Sequence, residues 1–214
     1  VYRHVKQDGG AGQFAHVVLD VAPLAETGDG PAGFAFASTA VGGRVPQEYV
    51  RAVEAGCRDA LAEGPLGGHP VAGVRVTLTD GATHPKDSSE MAFRTAGRFA
   101  LREALRRARD TGAMLLLEPV AEVTVTVPEE AAGGVLGDLA ARRGRVSRSA
   151  VTAGTTGGAG TAVVTATVPL AELSGYATAL RSRTRGRGTF TTRPLGYAPV
   201  PAAVSAAAPA PGTR

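Results

Sequence analysis

The sequence has no tryptophan, one cysteine and two methionines, and aromatic residues fill 5% of its 214 positions. A core must therefore be built mainly from Val, Leu and Ala. A lone Cys57 excludes an internal disulfide and offers no cysteine cluster for a metal, which fits a reducing, cytoplasmic setting. No apolar run approaches the ~18 residues of a membrane-spanning helix, and no signal-peptide pattern is present, so no membrane partner is expected. Lysine is scarce as well: it occurs at Lys6 and Lys86, and every other basic residue is arginine. A Walker A loop needs Gly-Lys-Ser/Thr, and neither lysine provides it. His4, His16, His69 and His84 show no metal-ligand spacing. No nucleophile stands with a recognisable base. Catalytic and metal-ligating residues are thus expected to be none, and the function left open is binding.

What is present can fold. The hydrophobic fraction is 43%, near the globular average, and the length suits one large domain or two small ones. The net charge of +4 and the pI near 9.7 come from arginine. Codon bias alone produces Arg- and Ala-rich chains, so the placement of the arginines carries more information than their number. The chain opens directly in a strand-like run at Val1, from which we expect a piece of a longer protein.

Residues 14–21 alternate, with Ala15, Val17, Leu19 and Val21 opposite Phe14, His16, Val18 and Asp20, which predicts a strand. Val74, Val76 and Leu78 repeat the pattern. Residues 46–63 read as a helix with Pro46 in its first turn and Val50, Val53, Cys57, Ala60 and Leu61 on one face; Cys57 is then a small core residue. A second helix is predicted to open with Asp87 as N-cap and Glu90 completing a capping box, with Ser88 and Ser89 at the same helix start. Phe93, Ala96, Ala100, Leu101, Ala104, Leu105 and Ala108 form its apolar stripe. Arg94, Arg98, Arg102 and Arg106 recur on another face, where like charges repel slightly; a solvated face and an RNA-phosphate contact face both fit. A second unit follows: a strand with Ala121, Val123, Val125 and Val127 inward, a helix from Pro128 to about Arg143, a strand near 145–150, a flexible loop, and a strand with Ala162, Val164, Ala166 and Val168. A helix over about 172–185 and a strand through 188–195 complete the order β-α-β-β-α-β, a ferredoxin-like arrangement. Residues 199–214 are too rich in Ala and Pro to pack and read as a disordered tail.

Six motifs, "HVKQDGGAGQF", "GGRVPQEY", "GATHPKDSSEMAF", "LLEP", "GVLGDLAARRG" and "GYATALRSRTRGR", resemble in order and spacing the last two domains of translation elongation factor G. The resemblance covers about residues 1–198. It implies an α+β chain of two domains: residues 1–114 similar to domain IV, with a fold like the second domain of ribosomal protein S5, and residues 115–198 similar to the ferredoxin-like domain V. It places a GTPase domain, with its GTP and Mg²⁺, upstream; this chain itself is expected to hold no cofactor. The implied partners are the ribosome, through its A site and large-subunit rRNA, and the tRNA–mRNA duplex, with the protein acting as a monomer.

In that family two loops at the tip of domain IV meet the tRNA–mRNA duplex. Gly9, Gly10, Gly12 and Gln13 match one loop, where glycines let backbone N–H groups approach phosphate or ribose; a tight hairpin without a partner is the plainer reading. His84, Pro85, Lys86 and Asp87 match the other, with His84 on the family's tip histidine, suited to stacking or bonding at 2′-hydroxyl groups. Pro85 and Lys86 depart from the usual acidic or polar and aliphatic residues. In the domain V-like part, Arg142, Arg143 and Arg145 follow the first helix, and Arg181, Arg183, Arg185 and Arg187 surround the end of the second. Cations at helix C-termini are favourable in themselves; the resemblance implies rRNA contact for Arg142, Arg143, Arg181 and Arg187. Ser174 replaces the usual aromatic residue before "GYAT". The function implied is translocation of tRNA and mRNA. A ribosomal protection factor acting against tetracycline, another specialised ribosome-binding GTPase, or a GTPase-free accessory protein are the alternatives, although protection factors commonly diverge from the "HxxQxGGxGQ" pattern retained here.

Overall fold

The computed structural model describes residues 1–7, 12–24, 33–152 and 160–201. Gly9 and Gly10, the loop expected after the 145–150 strand (apart from Gly160) and residues 202–214 therefore lie outside the described residues. The described chain forms two compact units, Val1–Leu116 and Leu117–Pro201, each with its own sheet and core. The mixed α+β class with two sheet-containing domains is the one expected.

In the first unit, β1 (Tyr2–Lys6), β2 (Gln13–Pro23), β3 (Phe34–Ser38) and β4 (Val74–Ala82) form a sheet in the order β1-β2-β4-β3. β1 and β2 pair antiparallel, as do β2 and β4, whereas β3 runs parallel to β4. A parallel neighbour needs a crossover, and α1 (Gln47–Leu61) supplies it between β3 and β4. α2 (Glu90–Asp110) packs beside α1. The alternating residues Ala15, Val17, Val76 and Leu78 are buried against Val53, Cys57, Phe93 and Leu101 from the helices, and Tyr49 stacks on Phe93 with centroids 4.6 Å apart. The short strand β3 goes beyond the sequence expectation: five residues ending in the exposed Ala37 and Ser38 carry too little alternation to stand out.

Two features of this unit differ from expectation. The N-cap of α2 is Ser89, not Asp87. Ser89 has extended angles and its hydroxyl accepts from the Ala92 N–H, which makes Glu90 the first helical residue and removes the capping box. Asp87 is drawn elsewhere, towards the loop that precedes β2. The arginine stripe on α2 is also not simply solvated. Arg94 makes a paired contact with Asp59 on α1 (2.7 and 3.0 Å), and Arg102 reaches Glu63 (3.4 Å). Asp59 of the neighbouring helix and Glu63 just beyond its end thus offset part of the like-charge repulsion that an isolated helix would feel.

The second unit contains β5 (Leu117–Pro128), α3 (Ala132–Ala141), β6 (Arg145–Thr152), β7 (Thr161–Pro169), α4 (Tyr176–Thr184) and β8 (Thr189–Pro199). Sheet order β6-β7-β5-β8, with every neighbouring pair antiparallel, is the ferredoxin-like topology. Val123, Val125, Val127, Val164, Ala166 and Val168 face Val135 and Leu139 of α3 and Tyr176 and Leu180 of α4. Both helices are shorter than predicted. A 3₁₀ turn at Glu129–Ala131 precedes α3, and another at Leu170–Leu173 precedes α4. Gly175, at φ 70°, separates that second turn from α4, a left-handed backbone that glycine adopts without Cβ strain.

Candidate nucleic-acid interface

Strand pairing places the described ends of the two predicted tip loops at one end of the sheet. Lys6 lies opposite Gln13, where the β1–β2 pairing ends. His16 lies opposite Ala82, so the segment from Thr83 to Ser89 leaves β4 at that same end. Hydrogen bonds tie that segment to the start of β2: the Phe14 N–H donates to the Asp87 carbonyl (2.7 Å), and the Ser88 hydroxyl donates to the Phe14 carbonyl (2.8 Å). The same hydroxyl accepts from the His84 N–H (2.8 Å). Ser88 therefore ties its loop to the start of β2 and is not the helix cap. The Tyr49 hydroxyl donates to the Ser88 carbonyl (3.3 Å).

On this base His84, Pro85 and Lys86 are exposed, while Asp87 is half-buried. The His84 ring packs near Phe14, with centroids 6.1 Å apart, and the Arg3 guanidinium lies over that same Phe14 ring, 5.4 Å from its centroid. His84 Nδ1 stands 2.8 Å from Asp87 Oδ2. Gln13 is not turned outward alone: its Oε1 is 3.0 Å from His4 Nε2. A Cβ at Gly12 would lie 2.8 Å from Asp87 Oδ1, a side-chain end that can turn aside. Arg3, His84 and Lys86 thus give this end of the unit a cationic and aromatic rim, a surface suited to phosphate and ribose. Arg3 is the residue that sequence reasoning missed; its position opposite His16 in the β1–β2 register is the only signal for it.

In the second unit the arginines divide by environment. Arg142 bonds Asp138 (3.1 Å) and the Glu172 and Ser174 carbonyls, and its guanidinium lies over the Tyr176 ring. Arg143 makes paired bonds to Glu118 (2.6 and 2.9 Å) and one to Glu172 (2.9 Å); these carboxylates hold its pKa above the ordinary arginine value. Both side chains are committed within the unit. Arg187 pairs with Glu130 (2.7 Å) at an exposed site, and Arg183 with Asp138 (3.2 Å). Arg145, Arg148, Arg181 and Arg185 are exposed, with no ion pair among the described residues. Arg148 lies opposite Thr165 on the sheet face away from the helices. Among the described residues no group of three or more His, Cys, Asp and Glu could hold a metal.

Comparison with known proteins follows the same division. The family of elongation factor G, domain IV, matches residues 1–109, and that of the elongation factor G C-terminus matches residues 115–207. The chain belongs to the elongation factor G family. Elongation factor G 2 of Streptomyces coelicolor is 72% identical over 207 residues, covering 95% of this chain and 29% of that protein. A crystal structure of a protein from Thermus thermophilus superposes with a TM-score of 0.75 at 36% identity, over 96% of this chain and 29% of the other. The chain thus spans less than a third of the length of these relatives, and its two parts correspond to domain IV and the C-terminus of elongation factor G. No helix among the described residues is long and apolar enough to cross a membrane.

Proposed function

We propose that this chain is the ribosome-reading part of an elongation factor G-type GTPase, acting in the cytoplasm to promote movement of tRNA and mRNA. The observation that carries the reading is the end of the first unit, where Ser88 and Asp87 tie the start of β2 to the segment that carries the exposed His84 and Lys86. A tied segment holds His84 and Lys86 with less freedom, so less is lost when they meet a backbone of phosphate and ribose. The tip enters the A site and meets the tRNA–mRNA duplex; Pro85 stiffens the loop, and Lys86 adds charge. In the second unit, Arg181 and Arg187 face large-subunit rRNA. Arg142 and Arg143 support the helix ends behind them through their internal bonds. GTP and Mg²⁺ belong to a nucleotide-binding domain of the whole factor. The residues of this chain do not fit them, since it has neither a Gly-Lys-Ser/Thr loop nor a clustered set of metal ligands among the described residues.

Toeprinting of stalled pre-translocation ribosomes with the full-length factor and GTP tests the reading. A one-codon advance is expected, slowed roughly tenfold or more by joint His84→Ala and Lys86→Ala, the effect of losing a charge-assisted contact of ~1.5–3 kcal/mol. A wild-type rate for the double variant overturns the tip assignment. No advance by the wild-type factor, with ribosome-stimulated GTP hydrolysis intact, moves the function to drug release, which tetracycline displacement then measures.

A further inference from the structure

The fold answers only half of the arginine stripe on α2. Steps of four residues advance each arginine ~40° around a helix and ~6 Å along it, so Arg94, Arg98, Arg102 and Arg106 slant across the side of α2 turned away from the core. The flank near α1 is neutralised: Arg94 binds Asp59 and Arg102 reaches Glu63. Asp59 also feels the field of Arg98, but both its oxygens are held by Arg94 (2.7 and 3.0 Å). The acids of α2 near Arg106 are committed as well, Glu103 to Arg107 (3.2 Å) and Asp110 to Arg109 (2.8 Å). Arg98 and Arg106 are exposed and make no ion pair among the described residues. Beside them Phe99, 41% exposed, stacks on Tyr2 of β1 with ring centroids 5.8 Å apart.

Each of these two arginines stands four residues from Arg102, a spacing at which like charges repel, so the unit by itself gains nothing from them. A polyanion does. The guanidinium fork meets phosphate oxygens in paired hydrogen bonds, and the two forks stand ~12 Å apart along one axis. The neighbouring ring pair supplies an apolar face on which a ribose or base can rest. We infer that Arg98, Arg106 and the Tyr2–Phe99 pair form a second RNA surface on the first unit, separate from the tip, which takes phosphates of an RNA backbone. RNA is favoured over an acidic protein because the cations recur in a line, and a nucleic-acid strand repeats its charge at every residue. α2 begins beside the tip at Glu90, so Arg98 and Arg106 carry the contact ~12 to 24 Å along the helix from there. The inference rests on the ribosomal role proposed above for the source of its RNA.

Binding of the full-length factor to ribosomes with a non-hydrolysable GTP analogue, measured over a salt series, tests it. Joint Arg98→Gln and Arg106→Gln is expected to flatten the slope of log affinity against log salt by about 1.5, the loss of two phosphate contacts. Joint Arg51→Gln and Arg75→Gln removes the same charge from exposed arginines elsewhere in the unit and is expected to leave the slope nearly unchanged. An equal change in both pairs, or none in the first, overturns the inference. Phe99→p-benzoylphenylalanine in the otherwise unaltered factor identifies the partner by photocrosslinking. A crosslink to rRNA is expected, and crosslinks to ribosomal protein alone, or none, overturn the RNA surface. A flattened slope in a factor that gives no codon advance removes the translocation reading and leaves this one standing. An unaltered slope in a factor that advances the message removes this one alone.

Discussion

Gly56→Ala is the most discriminating test of how the first unit is packed. In α1, alanine is the better helix former by ~1 kcal/mol, so propensity alone predicts stabilisation. The structure predicts the reverse. A Cβ at Gly56 would collide with the Arg94 carbonyl oxygen and lie 2.9 Å from the Arg98 nitrogen, both main-chain atoms of α2. Relief requires the two helices to move apart, loosening the contacts of Val53, Cys57 and Gly97. Overpacking costs ~1–3 kcal/mol. The upper end applies because rigid backbone cannot step aside. Subtracting the propensity gain leaves a loss of about 2 kcal/mol, near 30-fold in the unfolding equilibrium. With two units in the chain, a single global midpoint mixes two events. Cys57 offers a local probe instead. It is fully buried and its thiol is pushed up to about 12 by desolvation and by Glu54, so it reacts only when its unit opens. Pulsed alkylation in sub-denaturing urea should label Gly56→Ala about 30 times faster than wild type, in line with that shift in the opening equilibrium. Equal or slower labelling refutes the close approach of α1 and α2. Gly137→Ala in α3 is the control of opposite sign: its Cβ meets nothing within 4 Å, so it should stabilise the second unit by ~0.5–1 kcal/mol, read as slower amide exchange in α3.

Three further outcomes are expected. Tyr176 is 1% exposed and its hydroxyl has no hydrogen-bond partner among the described residues; Tyr176→Phe should stabilise the second unit by ~1 kcal/mol, and a raised urea midpoint for β7 amide exchange would show it. Arg143→Ala leaves Glu118 and Glu172 without their shared cation. It should cost about 1–3 kcal/mol, visible as faster exchange in β5, and no change would mean that water replaces the guanidinium. The Arg94 hydrogen bond holds the Asp59 carboxyl below its ordinary value. With the folded pKa below the unfolded one, the pair stabilises the fold above the normal carboxylate range and this is lost as pH falls through it. Acid unfolding followed by circular dichroism should therefore show a smaller pH dependence in Asp59→Asn, and identical curves would remove Asp59 from the acid response.

Elements were legible where a residue's neighbours in sequence are also the ones that decide its burial. Val123, Val125 and Val127 alternate because every second residue of a strand faces the core, and Cys57 lies on the apolar face of its helix. The helix starts were less legible. Asp87 and Ser89 are equally good caps in isolation, and the choice fell to Ser89 because the Asp87 side chain is engaged by His84 and its carbonyl by the Phe14 N–H. The arginines were the least legible. Arg142 and Arg181 are alike in sequence, yet one is enclosed by carbonyls and a tyrosine ring, while the other stands exposed.

The sequence by itself determined the periodicities, the order of elements, the family resemblance and the two loops worth watching, since these depend on residues close along the chain. Only the tertiary structure decided that Ser88 ties its loop to the start of β2, and which arginines are enclosed and which exposed. Those outcomes depend on atoms far apart along the chain, such as those of Phe14 and Ser88, 74 positions from one another. Their meeting is fixed by strand register and by nothing in either segment alone.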